Sequence, residues 1–235
     1  MMTTKTILIF LFSFCLQNIY SQNGKTFYTD TIKLTDKGVP IDSNELYFPK
    51  YIFFDNYDYP MYDNTSSEEK IKYKNLHALS ANERFSHTLF LFNEPILYSQ
   101  SATSEKLRIM LLPSFTKPFC LNTDNKTNTP SLTLKTLAGK GGYWYGKPLV
   151  VTQTIITKSQ CDSLLNLFKK SATIKEKTIL DLPSEWSDGT DYVIEFCTKN
   201  KYFVFFRHET DDKKIPEIIN EILRITKSDI KKDDY

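Results

Sequence analysis

The sequence predicts an α+β fold in which a mixed, mainly antiparallel sheet packs against two or three helices. Three observations indicate this class. A segment from Trp186 to His208 has the pattern of a strand hairpin, and an amphipathic helical stretch lies before it and another after it. Aromatic residues make up 14% of the chain, a share that favours β structure.

The hairpin pattern is apolar on both of its sides. With Lys199-Asn200 as the central turn residues, Ile194 faces Phe205 and Phe196 faces Phe203. One side carries Tyr192, Ile194, Phe196, Phe203 and Phe205, and the other carries Val193, Glu195, Cys197, Tyr202, Val204 and Phe206. A strand pair of this composition needs cover on both faces.

The two amphipathic stretches are the expected cover. The first follows Ser159, and its apolar side chains are Cys161, Leu164, Leu165 and Phe168. The second follows Asp211 and Asp212, and its apolar side chains are Ile215, Ile218, Ile219, Ile222 and Leu223. Both sets have the i, i+3, i+4, i+7 spacing of a helix with one buried face.

The remaining elements are predicted from shorter signals. A capping box at Ser66 and Glu69 predicts a short helix that ends near Leu79, although its apolar stripe is weak. Strands are expected over 86–92, 96–98, 107–113, 119–120, 132–135 and 149–157, with a polar turn at 122–130.

The N-terminus has the pattern of a cleaved signal peptide over residues 1–21. Lys5 precedes an apolar run from Ile7 to Leu16, which is short for a membrane span, and the expected cut leaves Gln22 as the first mature residue. A lipoprotein anchored at Cys15 is the alternative, and the bulky Phe14 argues against it. We therefore expect export to the periplasm or cell exterior, with no transmembrane anchor after cleavage.

The mature chain is expected to form a single domain over 22–228, with 22–104 as an alternative N-terminal subregion and 229–235 as a charged tail that frays. Lys and Arg number 30 against 28 Asp and Glu, so no basic footprint for nucleic acid exists. Cys120, Cys161 and Cys197 are expected to be buried small hydrophobes, with at most one disulfide among them.

A glycine-dense loop from Gly139 to Gly146 is the first candidate contact site. Tyr143, Trp144 and Tyr145 lie on it, and three aromatic side chains on a glycine-hinged loop are suited to gripping a ligand or partner. In the alternative, one or two of them tuck under the sheet.

A second, weaker candidate is an acidic cluster beside a histidine. His208, Glu209, Asp211 and Asp212 offer metal-ligating groups, although a solvated loop before a helix has the same composition. The chain contains no HExxH or GxSxG motif, and we expect no cofactor.

Glu195 faces away from Arg207 in the hairpin, so we expect a hydroxyl or lysine partner for it.

Several segments together resemble a family pattern. LRIMLLPSFTKPFCLN, LTLKTLAGKGGY, and WSDGTDYVIEF followed by KYFVFFRH are similar to stretches of bacterial exported proteins of unknown function, with an "lPSF…P", a "GxGGY" and a "DGxxYxlE" motif. The resemblance covers roughly residues 106–225. It implies an exported α+β domain and carries no activity, and the Tyr-Ser-Gln exit from the leader is similar to that of Bacteroidetes proteins.

These observations predict a secreted or periplasmic binding module that acts without catalysis on an envelope protein or glycan. The alternative is an envelope hydrolase whose site is assembled only on folding, because catalytic residues converge from distant segments.

Overall fold

A computed structural model describes residues 32–49, 52, 66–98, 104–125, 129–140, 144–171, 188–198, 201–208 and 213–231. Within them lie three helices and six strands. The helices are α1 (Ser67–Leu91), α2 (Lys158–Lys169) and α3 (Lys214–Ile225). The strands are β1 (Lys106–Pro113), β2 (Phe119–Asp124), β3 (Ser131–Leu137), β4 (Pro148–Ile155), β5 (Thr190–Cys197) and β6 (Tyr202–His208). The α+β class predicted from the sequence is confirmed.

The six strands form one sheet in the order β4-β3-β2-β1-β5-β6, and each neighbouring pair is antiparallel. β2 and β1 occupy the centre, and β4 and β6 are the two edges. The predicted hairpin register is confirmed, since Ile194 pairs with Phe205 and Phe196 with Phe203. Its turn residues 199–200 lie outside the described residues.

One face of the sheet, here named face A, is covered by α2 and α3. All the apolar side chains predicted for the two helices are buried, and they pack on side chains such as Leu107, Ile109 and Ile194. Phe168 of α2 contacts the rings of Phe196 and Phe205, with centroids 5.2 and 6.3 Å apart. Both predicted helices therefore lie on the same face, and the expectation that they supply cover for the two faces is wrong.

The opposite face, face B, is covered by α1 and the segment around Tyr47 and Phe48. The ring of Phe85 of α1 packs on that of Phe206 of β6, with centroids 4.7 Å apart and the ring planes tilted by 31°. The capping box at Ser66 and Glu69 is present as predicted. The helix, however, continues twelve residues beyond Leu79 to Leu91, so the strand predicted over 86–92 is wrong, and residues 96–98 form no strand either.

Two buried polar residues explain why the sequence pattern predicts too short a helix for α1. Asn82 and Ser86 lie on its buried side between Ala78, Phe85 and Leu89. The Ser86 hydroxyl donates to the Asn82 side-chain oxygen at 3.0 Å and accepts from the Tyr47 backbone N–H at 2.8 Å. These polar positions weaken the apolar stripe in the sequence although they belong to the packed face of the helix.

Two features of the strands depend on their neighbours in the sheet. β1 is buried on both of its sides, because face B, which carries Arg108 and Met110, is covered as well as face A. β2 extends through Asp124, so the turn expected at 122–130 begins later. Neither feature could be read from the local sequence, because each depends on which strands become neighbours.

Candidate functional site

The glycine-dense loop extends the β3–β4 hairpin beyond the ends of the two strands. Lys140 and Trp144 exchange two backbone hydrogen bonds, at 2.6 and 2.9 Å, and the Gly139 N–H donates to the Tyr145 carbonyl at 2.9 Å. The loop is therefore a continuation of the sheet and holds Trp144 at its end.

Two glycines of this loop are required by geometry. A Cβ atom at Gly139 would overlap the carbonyl oxygen of Trp144. Gly146 has a φ of +74°, in the left-handed region that side chains with a Cβ rarely adopt. The close approach of the two hairpin arms and the turn back into β4 both depend on these residues.

The described aromatic residues of the loop lie in different environments. Trp144 is exposed, with 67% of its surface accessible. Tyr145 is half-buried and packs against the apolar cluster of face B. Tyr143 lies outside the described residues. Trp144 is thus available for contact, whereas Tyr145 anchors the loop to the body of the domain.

Next to Trp144, strand β4 presents an apolar edge that the sequence reasoning did not recognise as a site. β4 is eight residues long and every one of its side chains is exposed or half-exposed. Among the described residues, half of the large apolar side chains that are exposed belong to one region, here named the β4 surface. They are Trp144, Leu149, Val150, Val151 and Ile155.

The β4 surface lacks the devices that usually protect a sheet edge. Edge strands are commonly guarded by lysines, prolines or bulges. Here Pro148 and a register shift opposite Thr136 and Leu137 affect only the beginning of the strand. From Val150 to Ile155 the strand is regular and uncharged, and among the described residues it pairs only with β3.

The other edge strand provides a direct comparison. In β6, Val204, Phe205, Phe206 and Arg207 are buried between the covers of faces A and B. The two edges of one sheet therefore differ sharply in exposure. A run of apolar and β-branched residues identifies a strand in either case, but only the strand order shows which edge is uncovered.

A buried ionic cluster lies on face B of the sheet. Arg108 Nε donates to Glu195 Oε2 at 2.5 Å, and Arg108 Nη1 lies 3.3 Å from Glu94 Oε2. Lys135 Nζ contacts Glu94 Oε1 at 2.7 Å, and the Tyr202 hydroxyl donates to Glu195 Oε1 at 2.8 Å. Glu195 thus has the hydroxyl partner expected from the sequence, but its cation is an arginine rather than a lysine.

The charged groups of this cluster stabilise one another and are largely closed off from solvent. Burial raises the pKa of Glu195 above its usual range, while Arg108 and the Tyr202 hydroxyl oppose the rise. Burial alone would lower the pKa of Arg108, but Glu195 and Glu94 together raise it. Arg108 and Glu195 are each only 1% exposed, so a substrate in solution has no access to this carboxylate while the cover of face B is in place.

The three cysteines among the described residues are buried thiols. Cys120, Cys161 and Cys197 are inaccessible and take part in no disulfide there, which confirms the expectation of small buried hydrophobes. Burial raises the pKa of Cys161 to about 11 and that of Cys120 well above its usual range. Nucleophilic chemistry needs a thiolate, and these two thiols remain protonated at neutral pH.

The proposed metal cluster is not described as a unit. Glu209, Asp211 and Asp212 lie outside the described residues, and of His208 only the backbone is described, at the end of β6. Elsewhere in the described ranges, no three His, Cys, Asp or Glu side chains converge in a way that would hold a metal ion.

No protein-family model matches the chain, and no curated protein sequence matches it. Among the helices of the described residues, none combines the length and apolar character that crossing a bilayer requires.

Proposed function

We propose that this chain is an exported protein of the periplasm or cell exterior that acts as a non-enzymatic binding module through the β4 surface. The observation that carries the proposal is the exposure of Trp144, Val151 and Ile155 along one unguarded sheet edge and its hairpin extension. Apolar side chains gain about 25 cal/mol for each Å² that a partner removes from water.

The geometry of the edge favours an extended segment as the bound element. A sheet edge offers a row of backbone N–H and C=O groups, and an added strand pairs with them while its side chains contact those of the edge. Eight residues of β4 give an edge of roughly 27 Å. Trp144 adds a large aromatic side chain at one end, of the kind that dominates binding energy in many interfaces.

Export is proposed from the sequence, on the leader pattern of residues 1–21. Its test is the intact mass of the protein recovered from each cell fraction. A processed chain that begins at Gln22, found outside the cytosol, is the expected result. An unprocessed chain in the cytosol contradicts export, and a lipid-modified Cys15 shows instead a lipoprotein.

The alternative of an envelope hydrolase is less well supported by the described residues. The carboxylate with a raised pKa, Glu195, is paired with Arg108 and Tyr202 under the cover of face B. A hydrolase needs its acid or base in contact with substrate. Release of the cover by local unfolding would be needed to expose this group, and the exposed β4 surface needs no such step.

Binding is tested with immobilised mature protein exposed to a detergent extract of the envelope, followed by titration of the identified partner. Trp144→Ala and Val151→Lys change the β4 surface, and Ile71→Lys changes an exposed apolar residue of α1 as the matched control. We expect both β4-surface variants to bind at least about tenfold more weakly, which corresponds to about 1.4 kcal/mol, and the control to bind as the wild type does.

The pattern of loss also distinguishes the class of partner. A protein strand added to β4 is weakened by Val151→Lys and by Trp144→Ala, because both side chains line the same edge. A glycan that only stacks on the aromatic ring is weakened by Trp144→Ala alone. Equal binding by wild type and both variants would contradict the proposal.

A further inference from the structure

The exposed strand is nearly palindromic in residue type. Residues 150–156 read Val-Val-Thr-Gln-Thr-Ile-Ile, so two β-branched aliphatic residues and one threonine lie on each side of Gln153. The register with β3 places Val151, Gln153 and Ile155 on one side of the sheet, since they pair with Lys135, Thr133 and Ser131. Thr152 and Thr154 lie on the other side, opposite Leu134 and Leu132.

This pattern is self-complementary under a two-fold axis. In an antiparallel pair, directly opposite residues point to the same face of the sheet. A two-fold axis through Gln153, perpendicular to the sheet, places Gln153 opposite Gln153, Val151 opposite Ile155, and Thr152 opposite Thr154. Each residue then meets a residue of its own chemical type, and the two most exposed aliphatic residues of the regular strand, Val151 and Ile155, cover each other.

The charges near the strand are compatible with the same arrangement. β4 has no charged side chain, so self-pairing creates no like-charge contact along the strand. The nearest lysines along the chain are Lys147 and Lys158. Lys147 precedes β4 and Lys158 is the first residue of α2, so both lie outside the paired stretch.

We propose that the occupant of the β4 edge is a second copy of this chain, which joins the two sheets into one continuous twelve-stranded sheet through antiparallel β4–β4 pairing centred on Gln153. The inference rests on the use of β4 as a contact surface in the proposed function. The pairing is isologous, so it uses both β4 edges and stops at two copies. The buried sides of β6 leave that edge less suited to further addition.

The regular part of the strand is short, so the dimer is reversible. A single edge pairing lies at the small end of protein interfaces, below about 1,200 Å² in total, where association is weak or transient. We therefore expect a dimer whose population rises with protein concentration in the micromolar range.

Sedimentation velocity of the mature chain over a concentration series tests this proposal with a charge pair at the two-fold axis. Gln153→Lys places two lysines opposite each other, and Gln153→Glu places two glutamates there, so each variant alone is expected to be monomeric where the wild type dimerises. An equimolar mixture of the two is expected to restore the dimer. Asn166→Lys, at an exposed position of α2, is the control and should dimerise as the wild type does.

Three results would overturn the proposal: a wild type that stays monomeric throughout, single variants that still dimerise, or a mixture that stays monomeric. Restoration in the mixture also shows that both variants are folded. The wild type could instead be monomeric and capture an envelope protein that the Val151→Lys variant does not capture. In that case the β4 surface binds a different partner, and the proposed function stands without the dimer.

Discussion

Arg108 of β1 and Glu195 of the neighbouring strand β5 are direct partners in the register of the sheet, and their charged groups are in contact at 2.5 Å beneath the cover of face B. Glu94, which follows α1, reaches the same guanidinium. The cluster therefore ties the chain after the helix to the centre of the sheet. Arg108 and Glu195 are 87 residues apart in the sequence.

Arg108→Met is expected to destabilise the fold strongly. The substitution leaves Glu195 buried without its cation, a change that typically costs about 3–5 kcal/mol. Urea unfolding followed by circular dichroism measures it. The double variant Arg108→Met/Glu195→Leu removes both charges and should be less destabilised than the sum of the two single changes. Additive losses would show that the two groups do not act as a pair.

Phe85→Ala should reveal how much α1 contributes to stability. The ring is fully buried and lies 4.7 Å from that of Phe206, so its truncation is expected to lower the free energy of unfolding by about 3–5 kcal/mol. The control Ile71→Ala changes an exposed side chain of the same helix, and its effect should stay within about 0.5 kcal/mol. Similar losses for the two variants would be inconsistent with packing of α1 on face B.

Gly139→Ala should disrupt the hairpin that holds Trp144. The added methyl group overlaps the carbonyl of Trp144, so the arms must separate, at a cost of about 1–3 kcal/mol. Amide exchange at Gly139, Lys140 and Trp144 should accelerate, whereas Lys140→Ala, at an exposed position, should leave it unchanged. Normal protection in the glycine variant would mean that the arms are not paired as described.

Stability is expected to fall at alkaline pH. In the folded protein the pKa of Cys161 is raised by burial to about 11, from an ordinary value of 9.0. Between these values the unfolded chain loses the thiol proton while the folded chain keeps it, so rising pH favours unfolding. Urea unfolding at a series of pH values between 9.0 and about 11 measures how steeply the free energy of unfolding falls. Cys161→Ala should reduce that slope, and an unchanged slope would exclude the thiol as its source.

The sequence was sufficient for the elements whose pattern is local. The pairing of Ile194 with Phe205 follows from side-chain alternation, and the buried stripes of α2 and α3 follow from helical spacing. It was not sufficient for α1, because Asn82 and Ser86 are polar residues that the fold buries and satisfies with each other and with the chain near Tyr47.

The candidate site was predictable only in part. Trp144 was found through its glycine-rich loop, whose close backbone contacts need residues without a side chain. The β4 surface was missed because the composition of a strand does not reveal its place in the sheet. The ionic cluster was missed for a related reason: Arg108 and Glu195 become neighbours only when β1 and β5 pair.

Hydrogen exchange of the β4 backbone at low and high protein concentration tests the central claim most directly. If the β4 edge is a contact surface that a second copy occupies, amides of residues 150–155 should exchange more slowly at high concentration, while those of β6 remain unchanged. Exchange along β4 that is the same at both concentrations, in a chain that also captures no partner through Val151 or Trp144, would contradict the account.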